Sequence, residues 1–350
     1  MRTAHDAAVA LARRYSFGDV AALVATGLVR PPDEQAARLG PLCVFGQRLL
    51  DLDAEDFGMP EHDGGGTSRG RSGRGGGRPT VPRGLIARSR RCRMPQTPRE
   101  QPRGALATLR PAFRLLLEVI EARWRRREMA ALVAVVHIAT EYLPLLAWEP
   151  VLNNAGDPAL LGDAVGGPGS RFGDQDDRAC AHRRNDASAA NRALRVAAEP
   201  PSGWQTYLDR QHSNMAHALA VCAAGCRAPC TVVTRLDETV RADLERRCEY
   251  ALALQSSSLV RLRHAAPVGH GFGVPSPEEV LDAWDRTRGS LAARGITGLD
   301  DPEESAFPLP GLTRVFSAIA ATDLAPDTLL ADTAEVIVGC LDGAGARLAC

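Results

Sequence analysis

His137 and Glu141 stand four residues apart in "VVHIATEYLPLLAWEP". On a helix they share one face, where an imidazole and a carboxylate could exchange a proton or hold a metal ion. The competing reading is a pair that satisfies itself by hydrogen bonding, as buried polar groups normally do, and it is favoured. "HALAVCAAGCRAPC" spaces Cys222, Cys226 and Cys230 with three-residue gaps and sets His217 ahead of them. Three thiolates and an imidazole are a tetrahedral zinc set, but zinc modules favour two-residue gaps in paired knuckles, so small buried cysteines are the commoner outcome. His270 lies between glycines in "GHGFGVPSPEEV", downstream of Arg261 and Arg263 in "SLVRLRH". The three could line an anion site. The spacing is not that of a Gly-x-Gly-x-x-Gly loop, and Pro275 and Pro277 remove N–H groups that an anion would need.

These candidates depend on helices to position them. "PAFRLLLEVIEARWRRREMAALVAVVHIATEYL" is too long for one straight globular helix, so a break is expected near Arg125 to Glu128. Ser276 as N-cap, Pro277 as first helical residue and Glu279 as the reciprocating acid predict a well-capped helix stopped by Gly295. In "LDETVRADLERRCEYALAL", Val240, Leu244, Cys248 and Leu252 predict one apolar stripe on a solvated helix. Two short helices flank Gly27, and "GLTRVFSAIAATDLAPDTLLADTAEVIVGCL" predicts two more, joined near Asp323 to Pro326. Strand signals are limited to "CTVVT" and "SLVRLRH", either of which could equally be a helix end. The fold expected is all-α, an irregular multi-helical bundle with at most a small β element.

Composition narrows the chemistry. All 42 basic residues are Arg, so no lysine is present to form a Schiff base and pyridoxal-phosphate chemistry is excluded. A Walker A phosphate loop is excluded on the same ground. Acidic residues also number 42, which removes any global electrostatic reason to expect nucleic acid or an anionic membrane. Nine cysteines scattered over 350 residues are the pattern of a reduced, cytoplasmic protein rather than of a disulfide framework.

From Gly64 to Gly104 eleven Arg face a single acidic residue, Glu100, among many Gly and Pro. Such a stretch cannot bury enough apolar surface to offset its ordering entropy. The organisation expected is therefore an N-terminal helical segment over 1–56, a disordered Arg/Gly/Pro-rich linker over 57–104, and a main helical domain over 105–350 with a flexible loop near 162–202. The insert is similar in "SRGRSGRGGGRP" to segments that bind RNA or single-stranded DNA, yet no aromatic residue between Phe57 and Phe113 supplies a stacking platform. Met129 to Trp148 is apolar enough to raise the question of a membrane span, against which His137, Glu141 and Pro144 count.

The leading functional reading is a soluble, non-enzymatic helical protein that binds or regulates. The alternative is an enzyme with a metal or acid/base site around His137 and Glu141. A protein partner heads the partner readings, nucleic acid at the 64–104 insert is the weaker one, and a membrane is disfavoured.

Overall fold

The computed structural model describes residues 2–53, 81–165, 204, 208, 212–265, 273–299 and 307–343. Among them the chain is all-α, with no strand. Both strand candidates are helical: "TVVT" is the short helix Thr231–Thr234, and "SLVRLRH" opens Ser258–Ala265. The described chain forms two compact units, residues 1–93 with 327–350, and residues 94–326. The units are drawn differently from the 1–56 and 105–350 division, because the last helix packs with the first ones.

In the first unit, α1 (Arg2–Arg13), α3 (Asp33–Asp51) and α4 (Arg83–Cys92) pack on α14 (Leu329–Leu341), and α2 (Phe17–Ala25) packs on α1 and α3. Phe17 is fully buried and its ring presses on Gly46 of α3, where a Cβ would lie 2.8 Å from the ring. Helix α4 corrects the reading of 57–104 as one disordered linker. Residues 81–104 are folded, with Leu85, Ser89 and Cys92 buried. Arg88 spans to Asp327 at 2.7 Å and Asp332 at 2.5 Å, so one arginine of the supposed phosphate-binding stretch is already occupied by carboxylates. The remainder of that stretch, 57–80, lies outside the described residues.

In the second unit, α5 (Arg110–Arg125) and α6 (Met129–Leu152) are separate helices, broken at Arg126 to Glu128 with Arg127 in the left-handed region. The start of α5 is held by Glu149, whose carboxylate accepts from the Leu109 N–H at 2.9 Å and the Thr108 hydroxyl at 2.6 Å. Glu149 thereby supplies, from α6, the acceptor that a helix N-terminus needs. Among the described residues α6 is the one helix long and apolar enough to cross a membrane, and 61% of that stretch is buried. Five helices pack on it: α5, α8 (Ser213–Ala224), α10 (Glu238–Gln255), α11 (Ser258–Ala265) and α13 (Leu312–Ala320). That is the environment of a core helix. Around it run α7 (Pro158–Val165), α9 (Thr231–Thr234) and α12 (Pro277–Ala292). The cap of α12 is the one its sequence predicts: the Ser276 hydroxyl accepts from the Glu279 N–H at 3.2 Å, and the Glu279 carboxylate accepts from the Ser276 N–H at 2.7 Å.

The apolar stripe of α10 is not the one expected. Val240 is 41% exposed and Leu252 is half-buried, whereas Leu244, Arg247, Cys248, Ala251 and Leu254 are buried. Each four-residue step drifts by about 40°, so three such steps leave the face, while steps of three and four residues stay on it.

Candidate functional site

Two of the separately noted candidates meet. Arg263 of α11 donates through Nη1 to His137 Nε2 of α6 at 2.9 Å, and Glu141 Oε1 lies 3.2 Å from the same nitrogen. A nitrogen that accepts from a guanidinium carries no proton, so the imidazole hydrogen sits on Nδ1, which is buried and has no partner among the described residues. The Nε2 lone pair, which a general base would use, is taken up by Arg263. While it is, Nε2 has no proton to donate to Glu141. Thr140, fully buried beside the pair, donates its hydroxyl to the His137 carbonyl at 2.7 Å. The cluster ties α11 to α6. Arg261 is exposed on α11, and His270 lies outside the described residues.

The thiol set is partly assembled. The Cys230 N–H donates to Cys222 Sγ at 3.1 Å, and both side chains are buried. The side-chain hydrogen bond with Cys230, together with burial, pushes the Cys222 thiol well above its ordinary range. A metal ligand must be a thiolate, so this environment opposes the chemistry. His217 points elsewhere, its Nδ1 lying 3.2 Å from Gln255 Oε1 on α10. Among the described residues no three His, Cys, Asp or Glu side chains come together as a metal site.

A third place in this unit was not anticipated. On α10, Asp243, Arg246, Arg247 and Tyr250 recur at steps of three and four residues, and along α13 to its cap Arg314, Ser317, Ala318 and Ala321 do the same. With the turn from Gly295 to Thr297 and with Asp323, these two faces line an open cleft of about 420 Å³. Arg247 is its deepest charge, its side chain only 4% exposed. Its Nη1 donates to the Ala147 carbonyl at 2.7 Å and approaches the Ile319 carbonyl at 3.5 Å. Its Nε lies 2.8 Å from Asp243 Oδ2, and Arg246 takes the other oxygen of Asp243 at 2.6 Å. Asp243 is thus shared between two guanidinium groups.

What remains at the cleft is unmatched donor capacity. Arg247 Nη2 has no partner among the described residues, nor does the hydroxyl of Tyr250, a residue 5% exposed whose ring is held in the core. That hydroxyl faces Gly295, where a Cβ would come within 3.4 Å of it. Gly295 adopts a φ of +102°, a conformation that L side chains rarely take, so the turn both requires glycine and keeps the approach to Tyr250 open. Ser317 is not part of this capacity: its hydroxyl donates to the Thr313 carbonyl at 2.8 Å and accepts from the Leu324 N–H at 2.9 Å. Three arginines against two aspartates leave the lining with an excess of positive charge.

No protein-family model matches the chain, and no curated protein or solved structure matches it. Every functional statement therefore stands on its own residues. Sequence reasoning missed the cleft because the stripe 243, 246, 247 and 250 has the look of a solvated helix face. The signal that could have found it is Arg247, a charge at a core-facing step between Leu244 and Ala251.

Proposed function

We propose that the unit formed by residues 94–326 binds a small carboxylate in the cleft between α10 and α13, and that the protein is a ligand-binding protein rather than an enzyme. One observation carries the reading: two donors on otherwise buried side chains that line one cleft, Arg247 Nη2 and the Tyr250 hydroxyl, have no acceptor among the described residues. Both atoms are open to the cleft rather than sealed in the core, and an anion with two oxygens would accept from both. The occupation of the His137 lone pair by Arg263 supports the non-enzymatic side. Free thiols at every described cysteine fit a reducing compartment, as the cytoplasmic assignment needs.

The test is isothermal titration of the full chain with acetate, propionate and succinate, with chloride at matched ionic strength as the control. Carboxylates bind and chloride does not, and Tyr250→Phe weakens binding by about ten- to a hundredfold, the range of one hydrogen bond to a charged group. A chain that binds no carboxylate at millimolar concentration, or a Tyr250→Phe variant that binds as well as the parent, overturns the proposal.

A further inference from the structure

We infer that the ligand of this cleft is a zwitterion, a free amino acid with its ammonium group intact; the inference rests on the carboxylate reading above. The reason is the second carboxylate of the lining. Asp243 is engaged by Arg246 and Arg247, one on each oxygen. Asp323 also lines the cleft and is exposed, and it makes no hydrogen bond or ion pair with the described residues. It offers an open acceptor opposite the open donors.

The two sets of open groups lie at the same end of the cleft. Arg247 reaches the carbonyl of Ile319, one residue before the end of α13, and Asp323 follows that end by three residues. Asp323 lies back against α13 rather than beyond it, because Ala321 turns the chain and the Leu324 N–H donates to the Ser317 hydroxyl at 2.9 Å. A small molecule in the cleft can therefore meet the Arg247 donors and Asp323 together.

The helix end adds to this polarity. The last carbonyls of α13 form its negative end, which favours a cation placed beside them. Arg247 already attends the Ile319 carbonyl, and an ammonium near Asp323 would extend the same pattern outward. The carboxylate of an amino acid would accept from Arg247 Nη2 and Tyr250, and its ammonium would donate to Asp323. A simple carboxylate fills the first half of this arrangement and leaves Asp323 without a counter-charge.

The experiment compares molecules that differ only by the ammonium: glycine against acetate, alanine against propionate, and leucine against 4-methylpentanoate, each titrated into the full chain by calorimetry at pH 7. At least one amino acid is expected to bind roughly five- to tenfold tighter than its partner, between the worth of an exposed ion pair and that of a charged hydrogen bond. Asp323→Asn should remove that advantage and leave the binding of the simple carboxylate unchanged. If each pair binds equally, the zwitterion inference fails and the carboxylate reading stands. If neither member of any pair binds, both fail. If propylamine alone binds, the cleft is a cation site and both are again overturned.

Discussion

Arg103 and Arg247 belong to the same unit, and both are largely buried, with side chains 11% and 4% exposed. Their surroundings differ in one respect. Arg103 has a partner on every nitrogen: Nε and Nη2 pair with the two oxygens of Asp157 at 2.7 and 2.8 Å, and Nη1 donates to the Pro98 carbonyl at 2.7 Å. Its guanidinium plane lies over the Trp204 ring, 5.5 Å from the centroid. Arg247 has a half-exposed carboxylate on one side, two main-chain carbonyls below, and an open nitrogen toward a cleft. Burial by itself therefore does not distinguish a fastener from a binding group. A guanidinium nitrogen left without any acceptor does, because that nitrogen can still donate to a ligand.

The sharpest way to break the comparison is to remove each carboxylate in turn. Asp157→Ala strands Arg103 in the interior and should lower the unfolding free energy by about 3–5 kcal/mol in urea titrations. Asp243→Ala should cost no more than about 1 kcal/mol, because Asp243 is 40% exposed and Arg247 keeps its carbonyl partners. Equal losses would mean that Arg247 is a fastener too.

A second difference is acid sensitivity. His212, fully buried, donates through Nε2 to the carbonyls of Ala155 and Gly156, next to Asp157. Burial pushes its pKa down from 6.5 to about 4. The unfolded chain then holds the proton more tightly than the native one, so acid favours unfolding. The contribution is complete above pH 6.5 and is lost progressively toward pH 4. At roughly 1.4 kcal/mol per unit it amounts to about 3 kcal/mol. Denaturation measured between pH 7 and pH 4 should show this slope in the parent and a shallower one in His212→Gln; parallel slopes would rule the buried histidine out as its source.

Smaller effects calibrate the scale. Ser276→Ala removes half of the capping box of α12 and should cost about 1 kcal/mol by thermal unfolding, without altering ligand binding. Tyr250→Phe removes a hydroxyl that none of the described residues engages, so stability should stay within about 0.5 kcal/mol of the parent while carboxylate affinity falls. A large loss of stability in Tyr250→Phe would show that the hydroxyl has an internal partner.

Much of the architecture was legible from local chemistry. The break between α5 and α6, the capping box of α12 and the junction before α14 follow from residues within a few positions of each feature. The Arg/Gly stretch was misread in its second half because composition averages over Leu85, Ile86 and Cys92, and cannot register that Asp327 and Asp332 wait on a distant segment for Arg88. The strand candidates failed for a related reason: β-branched residues in four-residue windows carry less weight than the helices they pack against. At the site, the i, i+4 relation of His137 and Glu141 was readable, but the arrival of Arg263 from 126 positions away was not.

By itself the sequence determined the helical class, the exclusion of lysine chemistry and the main helix starts and stops, because each depends on residue type or on contacts a turn or two apart. Only the tertiary structure decided which polar groups remain unsatisfied. Whether an arginine is spent, as Arg103 is on Asp157, or retains an open donor, as Arg247 does beside Tyr250, depends on carbonyls and carboxylates brought by other helices. Satisfaction of buried donors is a property of the assembled interior, and no local pattern encodes it.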